Sequence, residues 1–171
     1  ELYVDSDINE LLEIIPRDVE IGVKRDKVES PRMITLDEEL ACLIGYYTAE
    51  GYTRTDKDTR SDNNINGVNQ VDFAATEEQA RQFIQNTLDK KFKVENPYTN
   101  ENRITASGTI VKFYFDKILN SGDNCYIKEV PKMIKESSEN IIGAYLSGYI
   151  SGDGSMSGNI TAFTASEKLF L

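Results

Sequence analysis

The stretch "YLSGYISGDG" (residues 145–154) combines the apolar spacing of a buried helix with three glycines and a single carboxylate, Asp153. Each glycine inside a helix costs roughly 1 kcal/mol relative to alanine, so repeated glycine needs a compensating reason. Gly148 and Gly152 would leave a groove on one helix face, in which another helix backbone can lie unusually close. The stretch therefore predicts a helix that packs tightly against a partner helix and ends at an acid.

The same pattern occurs earlier in the chain, in "LACLIGYYTAEGYT" (residues 40–53). A second matching pair, "DFAATEE" (72–78) and "AFTASEK" (162–168), follows the first pair in the same order. Two motifs that recur in order indicate an internally duplicated unit. The aligned positions of the first pair are Gly45 with Gly148, Ala49 with Gly152, and Glu50 with Asp153.

Packing of the two repeated helices against each other would bring their terminal acids together. We expect a parallel pair related by a pseudo-twofold axis, in which Glu50 and Asp153 emerge side by side. Two carboxylates forced together repel, and a divalent cation or a shared proton relieves the repulsion. Since the chain has no histidine and this position offers hard oxygen donors, the pattern favours Mg²⁺. The small residues at the predicted helix interface are Gly45, Ala49, Gly148 and Gly152.

The composition excludes several classes of function. No run approaches the roughly 18 consecutive apolar residues of a membrane span, and no signal-peptide pattern occurs, so we expect no membrane partner. The absence of histidine removes mechanisms built on imidazole. Two cysteines without metal or disulfide spacing favour a reducing interior and hence a cytoplasmic protein. The net charge of −10 argues against a uniformly basic nucleic-acid surface but permits a basic patch.

The pattern along the chain predicts helix, two strands, helix, two strands, helix for the first unit. Residues 1–34 indicate a short helix followed by an extended connection. Thr35 and Glu38 form a capping box that starts the first repeated helix, and Gly51 would end it with a positive φ. The other predicted elements are strands at 53–60 and 68–76, a helix at 76–92 capped by Thr76, and a strand at 108–115.

The stretches "LIGYYTAEG" and "LSGYISGDG" resemble the two signature helices of the LAGLIDADG homing endonucleases in their double-motif form. The flanks are most similar to the endonuclease domains inside archaeal inteins, and the resemblance runs from about Pro31 to the end of the chain. It implies an α+β fold, the LAGLIDADG homing endonuclease fold. Its αββαββα half-domain would occupy residues 35–136, and a pseudo-symmetric second half would start at residues 137–171. Residues 1–34 would form an N-terminal helix and linker.

The resemblance also implies an activity, namely site-specific hydrolysis of double-stranded DNA that depends on Mg²⁺ and leaves a staggered double-strand break. Water would be the nucleophile, so no covalent enzyme intermediate is needed. The matching positions are Glu50 and Asp153 for the metal-binding acids, Ala49 and Gly152 for the carbonyl ligands, and Arg81 and Lys128 for a basic pocket near the scissile phosphates.

DNA recognition would fall to outward-facing positions of the strands. Alternation in "NQVDFAA" puts Val71, Phe73 and Ala75 on the helix face, which leaves Gln70 and Asp72 facing out. In the preceding strand, the alternation leaves open which side meets DNA. The candidate DNA-binding residues are Arg54, Lys57, Arg60, Gln70 and Asp72.

Other interpretations stay open. Lys128 can be simply solvated, and Arg81 can pair with Glu77 or Glu78 on its own helix. The charges on the first strand can serve to prevent edge-to-edge pairing.

At the level of the whole chain, two alternatives are a DNA- or RNA-binding relative that has lost cleavage and a folded but inactive remnant. The retained acids favour the endonuclease, because a pure binder does not need two repelling carboxylates. Since the second unit is short, missing second-half sequence or another chain would complete the DNA-binding surface. A chain without histidine is not expected to splice itself.

Overall fold

The computed structural model describes residues 34–56, 68–122, 125–155 and 161–169. The first unit comprises α1 (Glu38–Glu50), β1 (Gly51–Asp56), β2 (Val68–Ala74), α2 (Glu78–Phe92), β3 (Tyr98–Asn100), β4 (Arg103–Ser107) and α3 (Thr109–Phe113), which continues as a π-helical turn over Tyr114–Ile118. The elements that follow are α4 (Lys132–Lys135), α5 (Glu139–Asp153), β5 (Gly154–Ser155), β6 (Thr161–Ala162) and a 3-10 turn at Glu167–Leu169. The predicted N-terminal helix and residues 57–60 of the first predicted strand lie outside the described residues. No helix in the described ranges is long and apolar enough to cross a membrane.

The element order α1-β1-β2-α2-β3-β4-α3 confirms the predicted α+β class and the αββαββα arrangement of the first unit. Its four strands form one antiparallel sheet in the order β1-β2-β4-β3. The register places Asp72 of β2 between Tyr52 of β1 and Thr105 of β4. A second, two-stranded sheet begins where Gly154 of β5 pairs with Ala162 of β6.

The core lies between the helices and one face of the four-stranded sheet. Val71, Phe73 and Ile104 are buried on that face of the sheet. Tyr47 of α1 and Phe115 of the π-helical turn complete an aromatic cluster, with ring centroids 4.7 Å apart. The Phe73 ring meets the Phe115 ring edge-on at 5.4 Å. Burying a large apolar side chain contributes about 1.5–3 kcal/mol, so this cluster holds α1 firmly against the sheet.

The predicted strand at 108–115 is wrong, because this segment is helical. α3 and the π-helical turn bury Val111, Tyr114 and Phe115, and this spacing belongs to one face of a helix rather than to strand alternation. β-branched and aromatic residues favour a strand locally, but packing against the core decides the outcome. The fourth strand is β4, which ends one residue before the segment that we expected to form it.

The caps of the first two helices also differ from the prediction. Asp37 is the N-cap of α1, and its Oδ1 accepts a hydrogen bond from the backbone N–H of Leu40 at 3.0 Å. The capping box at Thr35 is therefore wrong. α2 begins at Glu78 without a side-chain cap, so the predicted cap at Thr76 is wrong as well.

Candidate active site

The helices α1 and α5 lie in direct backbone contact. A Cβ atom placed on Gly148 would lie 2.0 Å from the carbonyl oxygen of Cys42. One placed on Gly45 would lie 2.1 Å from the carbonyl oxygen of Tyr145. Because real Cβ atoms essentially never come closer than 3.0 Å to such atoms, only glycine fits at either position in this arrangement.

Equivalent residues of the two repeats contact each other at two successive points, which makes the pair parallel. A Cβ added to Gly45 would lie 3.1 Å from the carbonyl carbon of Gly148, and four residues further along both helices a Cβ added to Gly152 would lie 2.7 Å from the Cβ of Ala49. Equivalent positions of the two repeats therefore meet across the interface. The C-terminal ends of α1 and α5 lie on the same side of the helix pair.

Each of these helices ends at an acid and passes directly into a strand. α1 ends at Glu50, and Gly51 starts β1 with φ −95° and ψ 157°. α5 ends at Asp153, and Gly154 starts β5 with φ −109° and ψ 165°. The predicted positive φ at Gly51 is therefore wrong. Glycine is needed here for space, since an added Cβ would lie 2.3 Å from a ring carbon of Tyr47.

The pKa values of the two acids are both raised. The pKa of Glu50 is raised, first by partial burial and then by the charge of Asp153, while Lys128 acts in the opposite direction. Burial also raises the pKa of Asp153. The negative partial charge at the C-terminal end of each helix adds to the local negative potential. A cation placed between the helix ends would relieve this repulsion.

Lys128 lies beneath the end of α1 and is almost fully buried. Its Nζ donates a hydrogen bond to the backbone carbonyl of Tyr47 at 2.7 Å and lies 3.4 Å from the centroid of the Tyr47 ring. Ser166, from the second unit, donates a hydrogen bond to the backbone carbonyl of Lys128. A lysine at a helix C-terminus compensates the partial negative charge of the last carbonyls. The interpretation of Lys128 as a simply solvated residue is therefore wrong.

Arg81 is engaged within the first unit. Its Nη1 donates hydrogen bonds to the backbone carbonyls of Ala75, at 3.4 Å, and of Asn100. Its Nε lies 3.9 Å from a carboxylate oxygen of Glu78, which confirms the pairing that we considered as an alternative. These contacts join the start of α2 to the ends of β2 and β3, and none of them involves the acids at the helix ends.

The outer face of the sheet, opposite the helices, carries the predicted DNA-binding residues that the structure describes. Gln70 accepts a hydrogen bond from Arg54 Nη2 at 2.6 Å and donates one to Ser107 Oγ at 3.4 Å. Asp72 lies on this outer face, as the alternation predicts, but its side chain is fully buried by its neighbours. The remaining candidates, which lie outside the described residues, are Lys57 and Arg60.

Sequence analysis missed a basic residue on this outer face, Arg103. Its Nε lies 3.5 Å from Asp72 Oδ1, and its Nη1 donates a hydrogen bond to the Tyr52 hydroxyl at 3.1 Å. The hydrogen bond to Tyr52 and the charge of Asp72 raise the pKa of Arg103. The alternation of apolar and polar residues in "RITAS" (103–107) could have revealed this strand, but we had placed the strand further along the chain.

The set of metal donors at the helix ends is small. Within the described ranges, no group of three or more histidine, cysteine, aspartate or glutamate side chains could hold a metal ion. The donors available are the carboxylates of Glu50 and Asp153 and the backbone carbonyls of Ala49 and Gly152. All of these donors are oxygen atoms, which hard divalent cations prefer.

Comparison with known proteins finds archaeal relatives that are far longer than this chain. No protein-family profile matches it. It is 31% identical over 136 residues to the DNA polymerase II large subunit of Thermococcus kodakarensis, covering 79% of this chain and 7% of that protein. It is 29% identical over 172 residues to the DNA polymerase II large subunit of Haloquadratum walsbyi, covering 97% of this chain and 8% of that protein. An uncharacterized protein of Methanocaldococcus jannaschii is 33% identical over 131 residues, which are 72% of this chain and 14% of that protein.

Among solved structures, the chain is similar to I-DmoI in complex with its target DNA, nicked in the coding strand and in the presence of manganese. The TM-score is 0.49 and the sequence identity is 17%, with 73% of this chain and 66% of that chain covered.

Proposed function

We propose that this chain is a site-specific DNA endonuclease of the LAGLIDADG type, which makes a staggered double-strand break with the help of Mg²⁺. The observation that carries the proposal is the parallel helix pair, in which Glu50 and Asp153 end equivalent helices on the same side. Partial burial, and then the charge of Asp153, raise the pKa of Glu50, as expected where two acids meet at a cation site. A double-stranded DNA substrate also fits a site of action in the cytoplasm.

We further propose that the endonuclease is carried inside a longer host protein, as in intein homing. The segment similar to this chain makes up 7% of one DNA polymerase II large subunit and 8% of another, which supports a unit carried within a longer protein. In this proposal, residues 1–34 are a helix and linker, residues 35–136 are the first half-domain, and residues 137–171 begin the second half-domain.

The metal would be held by the carboxylates of Glu50 and Asp153, together with the carbonyls of Ala49 and Gly152. When bound, Mg²⁺ would supply Lewis-acid stabilisation of the charge that develops on the phosphodiester oxygens. The backbone contact between α1 and α5 fixes where the carboxylates lie, because both acids are the last residues of rigid helices.

Lys128 would act through Glu50 rather than by touching DNA. Its side chain is almost fully buried, and its charge opposes the rise in the pKa of Glu50. It therefore helps to keep Glu50 ionised and ready to bind a cation. For Arg81, the hydrogen bonds to Ala75 and Asn100 favour a structural role at the base of α2 over the catalytic one that the resemblance implies.

A second candidate function is a relative of the same fold that binds nucleic acid without cutting it, or an inactive remnant. Leu146 and Phe163 are 47% and 61% exposed, whereas their repeat equivalents Leu43 and Phe73 are buried. In the described part of the second unit, these two apolar side chains are thus not packed into a core as their equivalents in the first unit are.

Cleavage of plasmid DNA tests the proposal. The substrate is a plasmid with an archaeal DNA polymerase II large-subunit gene from which the segment similar to this chain has been removed. We expect linear product with staggered ends in Mg²⁺ and none in EDTA. Glu50→Gln and Asp153→Asn should each lower the cleavage rate by at least about 100-fold, while retaining binding to the plasmid. Calorimetric titration with Mg²⁺ should show weaker binding in both variants.

Glu101→Gln is the matched control, because Glu101 is an exposed acid in the turn between β3 and β4. It removes the same charge and should leave both cleavage and Mg²⁺ binding unchanged. Binding of DNA without any cutting by the unmutated chain would favour the second candidate. Equal cleavage by Glu50→Gln and Glu101→Gln would contradict the proposed site.

A further inference from the structure

A buried carboxylate lies at the centre of the outer face of the sheet. Asp72 is in β2, one of the two inner strands, and pairs with Tyr52 of β1 on one side and Thr105 of β4 on the other. Alternation points its side chain away from the core, yet this side chain has no exposed surface. Burying a charge is costly unless other charges and hydrogen bonds compensate it. The neighbours that cover Asp72 must therefore supply that compensation.

Two arginines, one from each neighbouring strand, face the carboxylate of Asp72. Arg54 Nε lies 3.8 Å from Oδ2, and Arg103 Nε lies 3.5 Å from Oδ1. The hydroxyl of Thr105 donates a hydrogen bond to Oδ1. Asp72 thus lies between Arg54 and Arg103, which we call the arginine pair. One negative charge between two positive charges leaves this cluster with a net positive charge.

The outer ends of the arginine pair are held as well. Arg54 Nη2 donates to Gln70, and Arg103 Nη1 donates to the hydroxyl of Tyr52. The side chains of Arg54 and Arg103 remain 37% and 32% exposed, whereas that of Asp72 is fully buried. Each guanidinium therefore lies at ion-pair distance from Asp72 on its inner side and is hydrogen-bonded to a polar neighbour on its outer side, and it still reaches solvent.

We propose that Asp72 is a positioning residue, which holds the arginine pair in the orientation in which it binds DNA. Arg54 was a candidate from the sequence, and the structure adds Arg103 as its partner across β2. Ordering a free arginine side chain on binding has an entropic cost, and prior fixation removes part of that cost. The inference rests on the proposed function, since it assumes that the outer face of the sheet meets DNA.

This proposal predicts that removing the charge of Asp72 weakens DNA binding, whereas the change in net charge alone would strengthen it. Asp72→Asn removes a negative charge from a surface that meets a polyanion, which by itself would strengthen binding. If Asp72 orients the arginine pair, the same substitution leaves Arg54 and Arg103 facing each other without the carboxylate, and binding weakens. The sign of the change therefore separates the two accounts.

The test uses the full chain, a fluorescein-labelled double-stranded DNA of mixed sequence, and fluorescence anisotropy in EDTA, so that no cleavage takes place. Asp72→Asn should weaken binding by about threefold to tenfold. Glu101→Gln, which removes an exposed acid from the turn between β3 and β4, should bind as tightly as the unmutated chain or slightly more tightly. Thr105→Val removes only the hydroxyl that bonds Asp72, and it should weaken binding in the same direction by a smaller factor.

A double-mutant cycle separates positioning from damage to the fold. In the background Arg54→Gln with Arg103→Gln, the further change Asp72→Asn should have no additional effect on the dissociation constant. An equal loss in that background, or binding by Asp72→Asn as tight as that of the unmutated chain, would overturn the inference. If Asp72→Asn does not fold by circular dichroism, Thr105→Val carries the same test with the same outcomes.

The outcome also separates this inference from the proposed function. Failure of the unmutated chain to bind the duplex at any concentration would overturn both. Binding by the unmutated chain, together with tighter binding by Asp72→Asn, would overturn only the role of Asp72. Weaker binding by Asp72→Asn in a chain that never cuts DNA would support the positioning role and contradict the endonuclease activity.

Discussion

Replacing Gly148 with alanine tests the contact that places the two acids together. A methyl group at this position would lie 2.0 Å from the carbonyl oxygen of Cys42 and 2.8 Å from its carbonyl carbon. Both atoms belong to the backbone of α1, so no side-chain rotation can relieve the contact. To reach the 3.0 Å below which real Cβ atoms are essentially never found, the two helices would have to separate by about 1 Å.

The magnitude follows from two opposing effects. Alanine is the better helix former by about 1 kcal/mol, whereas overpacking in a dense interface costs typically about 1–3 kcal/mol and occasionally more. Because the clash is with backbone, we take a cost at the upper end and expect a net loss of about 2 kcal/mol in the free energy of unfolding. For a chain of this size, that corresponds to a fall of about 4–8 °C in Tm.

Gly143→Ala is the matched control, because Gly143 lies in the same helix and an added Cβ there meets nothing within 4 Å. We expect this variant to be more stable by about 0.5–1 kcal/mol, through helix propensity alone. Urea unfolding followed by circular dichroism measures both changes. If Gly148→Ala proves as stable as Gly143→Ala, the close contact between α1 and α5 is not formed in solution, and the argument for adjacent acids fails.

Two further predictions concern the ends of α1. Burial raises the pKa of Asp37, but hydrogen bonds from Lys91 and the backbone outweigh this effect, so the pKa is lowered. The ionised carboxylate therefore stabilises the folded protein at pH values above the pKa of the unfolded state. This stabilisation is lost as the pH falls through the pKa of the folded state. Asp37→Asn keeps the capping acceptor, so its free energy of unfolding in urea should be lower by about 0.5 kcal/mol at neutral pH and equal to that of the unmutated chain in acid. A loss of stability that does not depend on pH would contradict the ion pair. At the other end, Lys128→Met removes the Nζ that donates to Tyr47 and the charge that favours ionised Glu50. Plasmid cleavage should fall by about tenfold with a change of less than about 1 kcal/mol in the free energy of unfolding, whereas loss of stability in proportion to activity would indicate a purely structural lysine.

The helix pair could be anticipated from the sequence because its signal is local and occurs twice. Small residues at repeated helical spacing inside apolar helices, Gly45 with Ala49 and Gly148 with Gly152, indicate a close helix–helix contact. The acids follow these residues directly along the chain, so the same pattern also predicts where both helices end. The packing partner of each helix could also be predicted, because it is the equivalent helix of the other repeat.

The elements that depend on distant partners could not be anticipated in the same way. Residues 108–115 are rich in β-branched and aromatic side chains, and only their packing under the sheet makes them helical. Asp72 and Lys128 are polar residues in exposed-looking patterns, yet both are buried by partners that lie far away in sequence. Arg103 was missed because the strand that carries it was placed further along the chain.

In the described part of the chain, the helices that carry the two acids are packed mainly by the first unit. Leu43 and Phe73 are buried in its core, whereas the equivalent Leu146 and Phe163 are largely exposed in the described part of the second unit. α5 is therefore held chiefly by its glycine face against α1, and α1 is in turn held by the aromatic cluster under the sheet. Because Asp153 can be placed beside Glu50 only through that face, loosening the core of the first unit should disturb the acid pair as much as a change in α5 itself. In the described part of the chain, the position of Asp153 relative to Glu50 thus depends on the packing of the first unit, although the two acids come from both halves of the repeat.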